Sequence, residues 1–123
     1  MGKKSEEFFR VMLEFLPSKS NDYIKSIEVY GEVLETVIIE DIFMPDIIKL
    51  LSENRNINLL ERIFDYFEEV SNCKDDHLIN IFSITVLEIL GNDREILQLA
   101  QQYMGPKTIQ LQIEADRGLG RRI

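Results

Sequence analysis

Few side chains in this sequence are equipped for chemistry, and they lie close together. The single imidazole, His77, follows Asp75 and Asp76 and sits four residues beyond the single thiol, Cys73, whose neighbour is Lys74. An adjacent ammonium lowers a thiol pKa, so a cysteine nucleophile is the first chemistry to weigh. The plainer expectation is a solvated histidine at a helix start and an inert, half-buried cysteine. Lys74 stands three residues before His77, so neither an E-x-x-H nor an H-E-x-x-H metal pairing exists. Glu61, Asp65 and Glu68 share one helical face at spacings of four and three, as a carboxylate metal site would require. A di-iron bundle needs such carboxylates to point inward beside Glu-x-x-His partners, whereas this face points away from the apolar stripe of its helix and reads as solvated. Gly118-Leu119-Gly120 lacks both the Lys-Ser/Thr and the preceding strand of a phosphate loop. The inventory therefore predicts a protein that is not an enzyme, with no catalytic residues, no metal and no cofactor.

The charge is more informative than the nucleophiles. Over 123 residues, 22 acids against 14 Lys and Arg give a net charge of −8. Residues 1–10 carry +1, residues 11–100 carry −11 and residues 101–123 carry +2. Such an acid excess disfavours nucleic acid as a direct ligand, because phosphate binding needs a basic face that displaces counterions. The densest stretch lies between Lys25 and Lys49, where Glu28, Glu32, Glu35, Glu40, Asp41 and Asp46 occur with no base among them. Helical spacing aligns Glu28, Glu32 and Glu35 if the chain does not reverse at Gly31. Like charges so spaced cost a few tenths of a kcal/mol per pair, so folding gains nothing from them and a partner would. A second acidic group, Glu61, Asp65, Glu68 and Glu69, is relieved only by Arg62. These ten carboxylates are the candidate partner-binding residues. Focused negative potential steers a basic protein into contact, and Tyr23, Tyr30 and Tyr66 are candidate aromatic anchors beside it.

The elements that position these groups read as helices. Phe8, Phe9, Met12, Leu13, Phe15 and Leu16 follow Ser5 with three-and-four spacing and stop at Pro17. Tyr23, Ile24, Ile27 and Tyr30 make a short second helix ending near Gly31. Val33, Leu34, Val37, Ile38, Ile42 and Phe43 continue into Ile47, Ile48, Leu50 and Leu51; strand-like composition at residues 37–39 is outweighed by that continuity, and Pro45 marks a kink or a break. Further stripes run through Leu59 to Val70, Leu78 to Leu90, Ile96 to Tyr103 and Ile109 to Ala115. About seven helices make an all-α single domain over 1–123, either a compact bundle or a short HEAT-like stack of antiparallel pairs, with a frayed basic tail at 118–123. The apolar helix over 81–90 leaves room for a homodimer interface. Glu6, Glu7, Arg10 and Glu14 interrupt the apolar run a secretory signal would need. No segment approaches the roughly 20 apolar residues that cross a bilayer, so no membrane partner is expected. One cysteine excludes an intramolecular disulfide, and a reducing cytoplasm is the expected compartment.

Three landmarks carry a resemblance: Glu32-Val33-Leu34 leading through Ile38 to Ile42, Ser83-Ile84-Thr85-Val86-Leu87-Glu88-Ile89-Leu90-Gly91, and Tyr103-Met104-Gly105-Pro106-Lys107. Over residues 32–107 the chain resembles small, acidic, all-helical bacterial immunity proteins associated with polymorphic or contact-dependent growth inhibition toxins. The resemblance implies stoichiometric binding and neutralisation of a cognate toxin domain, with a basic nuclease as the expected target. It assigns no individual residue a role, because immunity families vary on the binding face. A helical adaptor or regulatory domain that binds a peptide or partner subunit is the alternative expectation.

Overall fold

Apolar residues three and four apart fold into seven helices in the computed structural model, which describes residues 2–120. α1 is Lys3–Phe15, and a 3-10 turn at Pro17–Lys19 leads directly into α2, Ser20–Tyr30. α3 covers residues 35–53, α4 is Ile57–Ser71, α5 covers residues 76–91, α6 is Arg94–Gln101 and α7 is Pro106–Gly118. No strand occurs among the described residues, so the branched residues at 37–39 are helical.

α4 shows how the sequence produces these elements. Asn56 caps it by accepting from the Leu59 amide at 3.4 Å, and Leu60, Ile63, Phe64, Phe67 and Val70 are all buried on one side. Each such side chain contributes about 1.5–3 kcal/mol relative to leaving it in water. Phe67 meets Phe64 and Phe82 edge-to-face at 5.1 and 5.2 Å, and truncating it to alanine would cost about 3–5 kcal/mol. Aspartates cap two of the helices: Asp75 accepts from Leu78 N at 2.9 Å, and Asp93 accepts from Glu95 N at 2.9 Å and Ile96 N at 3.2 Å.

α3 and α5 each contain a five-residue π-helical segment, Ile39–Phe43 and Ser83–Leu87, and the two segments pack against each other. The wider turn is visible in the bonds from Met44 N to Ile39 O and from Glu88 N to Ser83 O, each spanning five residues. Pro45 accounts for the first. It has no amide to give, and in an α-helix its ring would strike the Asp41 carbonyl four residues back, so the turn before it widens and the helix continues without breaking. Thr85 accounts for the second. Its buried hydroxyl donates to the Ile81 carbonyl at 2.6 Å, competing with the backbone amide that an α-turn would place there.

The buried apolar residues form one cluster, including six of the seven phenylalanines. α1 packs on α4, α3 on α6, and α7 on both α4 and α5, so elements distant in sequence close a bundle. An open stack would confine contacts to neighbouring repeats. The apolar face of α5 that left room for a dimer is consumed within the chain: Ile81, Phe82, Val86, Leu87 and Leu90 are buried, and Ile84 is its exposed large apolar side chain. Of the expected frayed tail, Gly118 closes α7, and the Leu119 and Gly120 amides bond back to Asp116 and Arg117. Arg121, Arg122 and Ile123 lie outside the described residues. No helix of the described residues is long and apolar enough to cross a membrane.

Candidate functional site

The residues with nucleophilic or metal-binding chemistry are spread apart. Cys73 is half-buried, with its Sγ 4.0 Å from the Asp75 carbonyl, and exposed His77 turns to α3, where its Nε2 lies 3.0 Å from Glu35 Oε1. Among the described residues no three His, Cys, Asp or Glu side chains converge as metal ligands.

The acidic stretch before Lys49 divides in two. Gly31 adopts φ +73° and its amide bonds to the Ile27 carbonyl, ending α2. The chain reverses at this left-handed residue, so the single row of Glu28, Glu32 and Glu35 does not form. Glu35 instead opens α3 and pairs with His77, and Asp46 pairs with Lys19 at 3.2 Å. A lysine and an imidazole remote in sequence thus meet two carboxylates that looked unopposed. Glu28, Glu32, Glu40 and Asp41 remain exposed and form no ion pair among the described residues.

Beside them lies a cleft of about 270 Å³ between α2 and α3, lined by Asp22, Lys25, Ser26, Val29, Tyr30, Val37, Asp41 and Ile42. Tyr30 is exposed on its rim, whereas Tyr23 is half-buried 6.0 Å from Phe9, and Tyr66 stacks on Phe8 at 6.0 Å. Burial, then the Glu7 and Glu69 carboxylates, push the Tyr66 phenol above its usual value. Of the three tyrosines, Tyr30 is the exposed one.

The second acidic group also divides. Glu61, Asp65 and Glu69 form an exposed row along α4, and Arg62 leans over the Phe15 ring at 5.6 Å. Glu68 leaves this surface. Its carboxylate accepts from the Lys107 amide at 3.0 Å, the Thr108 amide at 2.9 Å, the Thr108 hydroxyl at 2.9 Å and the Asn72 side-chain amide at 3.2 Å. It is therefore the cap of α7, delivered from α4 to a helix whose own N-cap, Gly105, has no side chain to offer. Burial pushes the carboxyl up, but the hydrogen bonds from Thr108, Lys107 and Asn72 outweigh it and hold the group below its ordinary value. A Cβ on Gly105 would lie 2.5 Å from Glu68 Cδ, so this glycine is required by close approach.

Sequence reasoning missed this cap and the polar row behind it. Thr108, Gln112 and Asp116 are buried at four-residue spacing on the inner face of α7. Thr108 meets Ser71 at 2.9 Å, and Gln112 donates to the Leu87 carbonyl at 2.9 Å, at the end of the second π segment. The four-residue repeat of polar residues was the available signal.

The fold defines a closed all-α domain. The chain belongs to the DUF7674 family, described as a domain of unknown function, which it matches over residues 9–119. No curated protein matches it, and no solved structure does.

Proposed function

We propose that this chain is a cytoplasmic immunity protein that binds a cognate bacterial toxin domain, a basic nuclease, and neutralises it stoichiometrically. The observation that carries the reading is the set of exposed carboxylates Glu28, Glu32, Glu40 and Asp41, which no base of the described residues pairs. Folding gains nothing from leaving them unpaired, whereas a nuclease needs a positive groove for its own substrate and would be drawn to them. The exposed row Glu61, Asp65 and Glu69 adds a second negative surface on α4. Inhibition on this reading is competition: the acidic face occupies the toxin's substrate groove or a site beside it, and no bond is made or broken.

Co-expression with a toxin domain encoded beside this chain is the test. The expected outcome is a one-to-one complex and rescued growth. Absence of a complex overturns the reading, and a complex without rescue supports the adaptor alternative in its place. Within a complex, replacing Glu28, Glu32, Glu40 and Asp41 by lysine slows association by about tenfold or more at low salt; an unchanged on-rate removes this surface from the mechanism.

A further inference from the structure

α2 is the helix that the rest of the fold leaves uncovered. Alone among the seven helices of the described residues it has no buried residue. It presents Val29 at 73%, Tyr30 at 54% and Ile24 at 53% exposure, three of the six large apolar side chains left open to solvent among the described residues. Val29 and Tyr30 also line the cleft of about 270 Å³ against Val37 and Ile42 of α3, enough space for a leucine or phenylalanine side chain. Ser26 lines the same cleft, although its Oγ itself is shielded from solvent.

We propose that α2 and this cleft grip an apolar side chain carried by a basic protein segment. The proposal rests on reading the adjoining carboxylates as a protein-binding surface, and it assigns them a division of labour: charge brings the partner in, and Val29 and Tyr30 hold it. Charge complementarity selects the occupant. Asp41 lines the cleft without an ion pair among the described residues, beside Lys25 and beside Asp22, which lies 3.8 Å from Lys19, and the exposed Glu28, Glu32 and Glu40 stand on the same two helices or the turn between them. A second copy of this chain would bring those carboxylates against their own duplicates, while a lysine- or arginine-bearing segment would neutralise them as its apolar side chain entered. The larger groove of about 330 Å³ between the ends of α1 and α3 offers no such preference, because its Asp46 is matched by Lys19 and its Glu53 by Arg55.

The probe is a synthetic amphipathic helical peptide of leucine and lysine, titrated into isotope-labelled full-length chain and followed by backbone amide NMR shifts. Shifts should concentrate on α2 and the first half of α3, and the same peptide with glutamate for lysine should produce none. Val29→Gln with Tyr30→Gln changes only exposed side chains; it should weaken binding about tenfold through faster dissociation, while Glu28→Gln with Asp41→Asn acts mainly on association. Shifts centred on Glu61, Asp65 and Glu69 or on the larger groove overturn the proposal, as do absent binding and self-association through α2. Toxin protection that survives Val29→Gln and Tyr30→Gln with an unchanged dissociation rate overturns this inference alone. Peptide binding on α2 without protection overturns the toxin reading alone.

Discussion

Glu68 and Gly105 act as one device at the scale of single residues. The glycine leaves the space that the carboxylate fills, and the carboxylate supplies the acceptors that the start of α7 lacks. Glu68→Gln should destabilise the protein by about 1–3 kcal/mol at neutral pH, because charge-assisted hydrogen bonds are replaced by weaker ones. Gly105→Ala should lose a similar amount by expelling the carboxylate, and combining the two changes should cost less than the sum. Urea denaturation of the single and double variants measures both. The sign of the pH dependence follows from the depressed pKa. Folded Glu68 binds its proton more weakly than unfolded Glu68, so its contribution is complete above the ordinary value of 4.5 and is lost as pH falls through the lower, folded value. The gap between parent and Glu68→Gln should therefore shrink as the pH falls below 4.5; a constant gap would show that the cap is not the source. The sequence could not separate Glu68 from Glu69. Both are acids on the helix after Asp65, and the amides that Glu68 caps are 39 and 40 residues away.

At the scale of elements, legibility followed the range of the interactions. α4 was readable because its apolar repeat and its polar N-terminal turn are local, and α5 and α6 because Asp75 and Asp93 cap amides two or three residues on. The Glu35–His77 pair spans 42 residues and left no local trace. The π segments were half legible: Pro45 announced a disturbance in α3, but its form depends on a facing helix, and Thr85 looked like an ordinary core residue. Local stability should follow the same map. α2, without a buried residue, should exchange its amide hydrogens faster than α4 under native conditions. In Glu68→Gln the increase in exchange should fall on the first turns of α7, with α1 and α3 unchanged. Hydrogen-exchange mass spectrometry reads both patterns, and uniform acceleration would contradict them.

For the whole molecule, a net charge of −8 gives two opposite responses to salt. Screening relaxes repulsion among the unpaired carboxylates, so the melting temperature of the free chain should rise between low ionic strength and ~0.15 M. The same screening should slow association with a basic partner. Calorimetry and stopped-flow mixing over one salt series test the pair; a melting temperature that falls with salt would mean that ion pairs such as Lys19–Asp46 outweigh the repulsion. Composition held no warning that Asp46 would meet Lys19 or Glu35 would meet His77, because net charge is a property of composition and pairing a property of the fold.

The facing π segments also bear on how the gene for this chain can change length. A bond spanning five residues encloses one residue more than an α-helical bond, so each segment is an α-helix holding a single surplus residue. Losing one codon elsewhere in α3 or α5 would rotate everything beyond it by about 100° and carry core side chains to the surface. Losing one within Ser83–Leu87 would let the turn close to ordinary α-helix while the flanking turns keep their faces, whereas at Ile39–Phe43 the ring of Pro45 opposes that closure. Tolerated one-residue deletions within these two helices should therefore gather in the segment of α5 that touches α3.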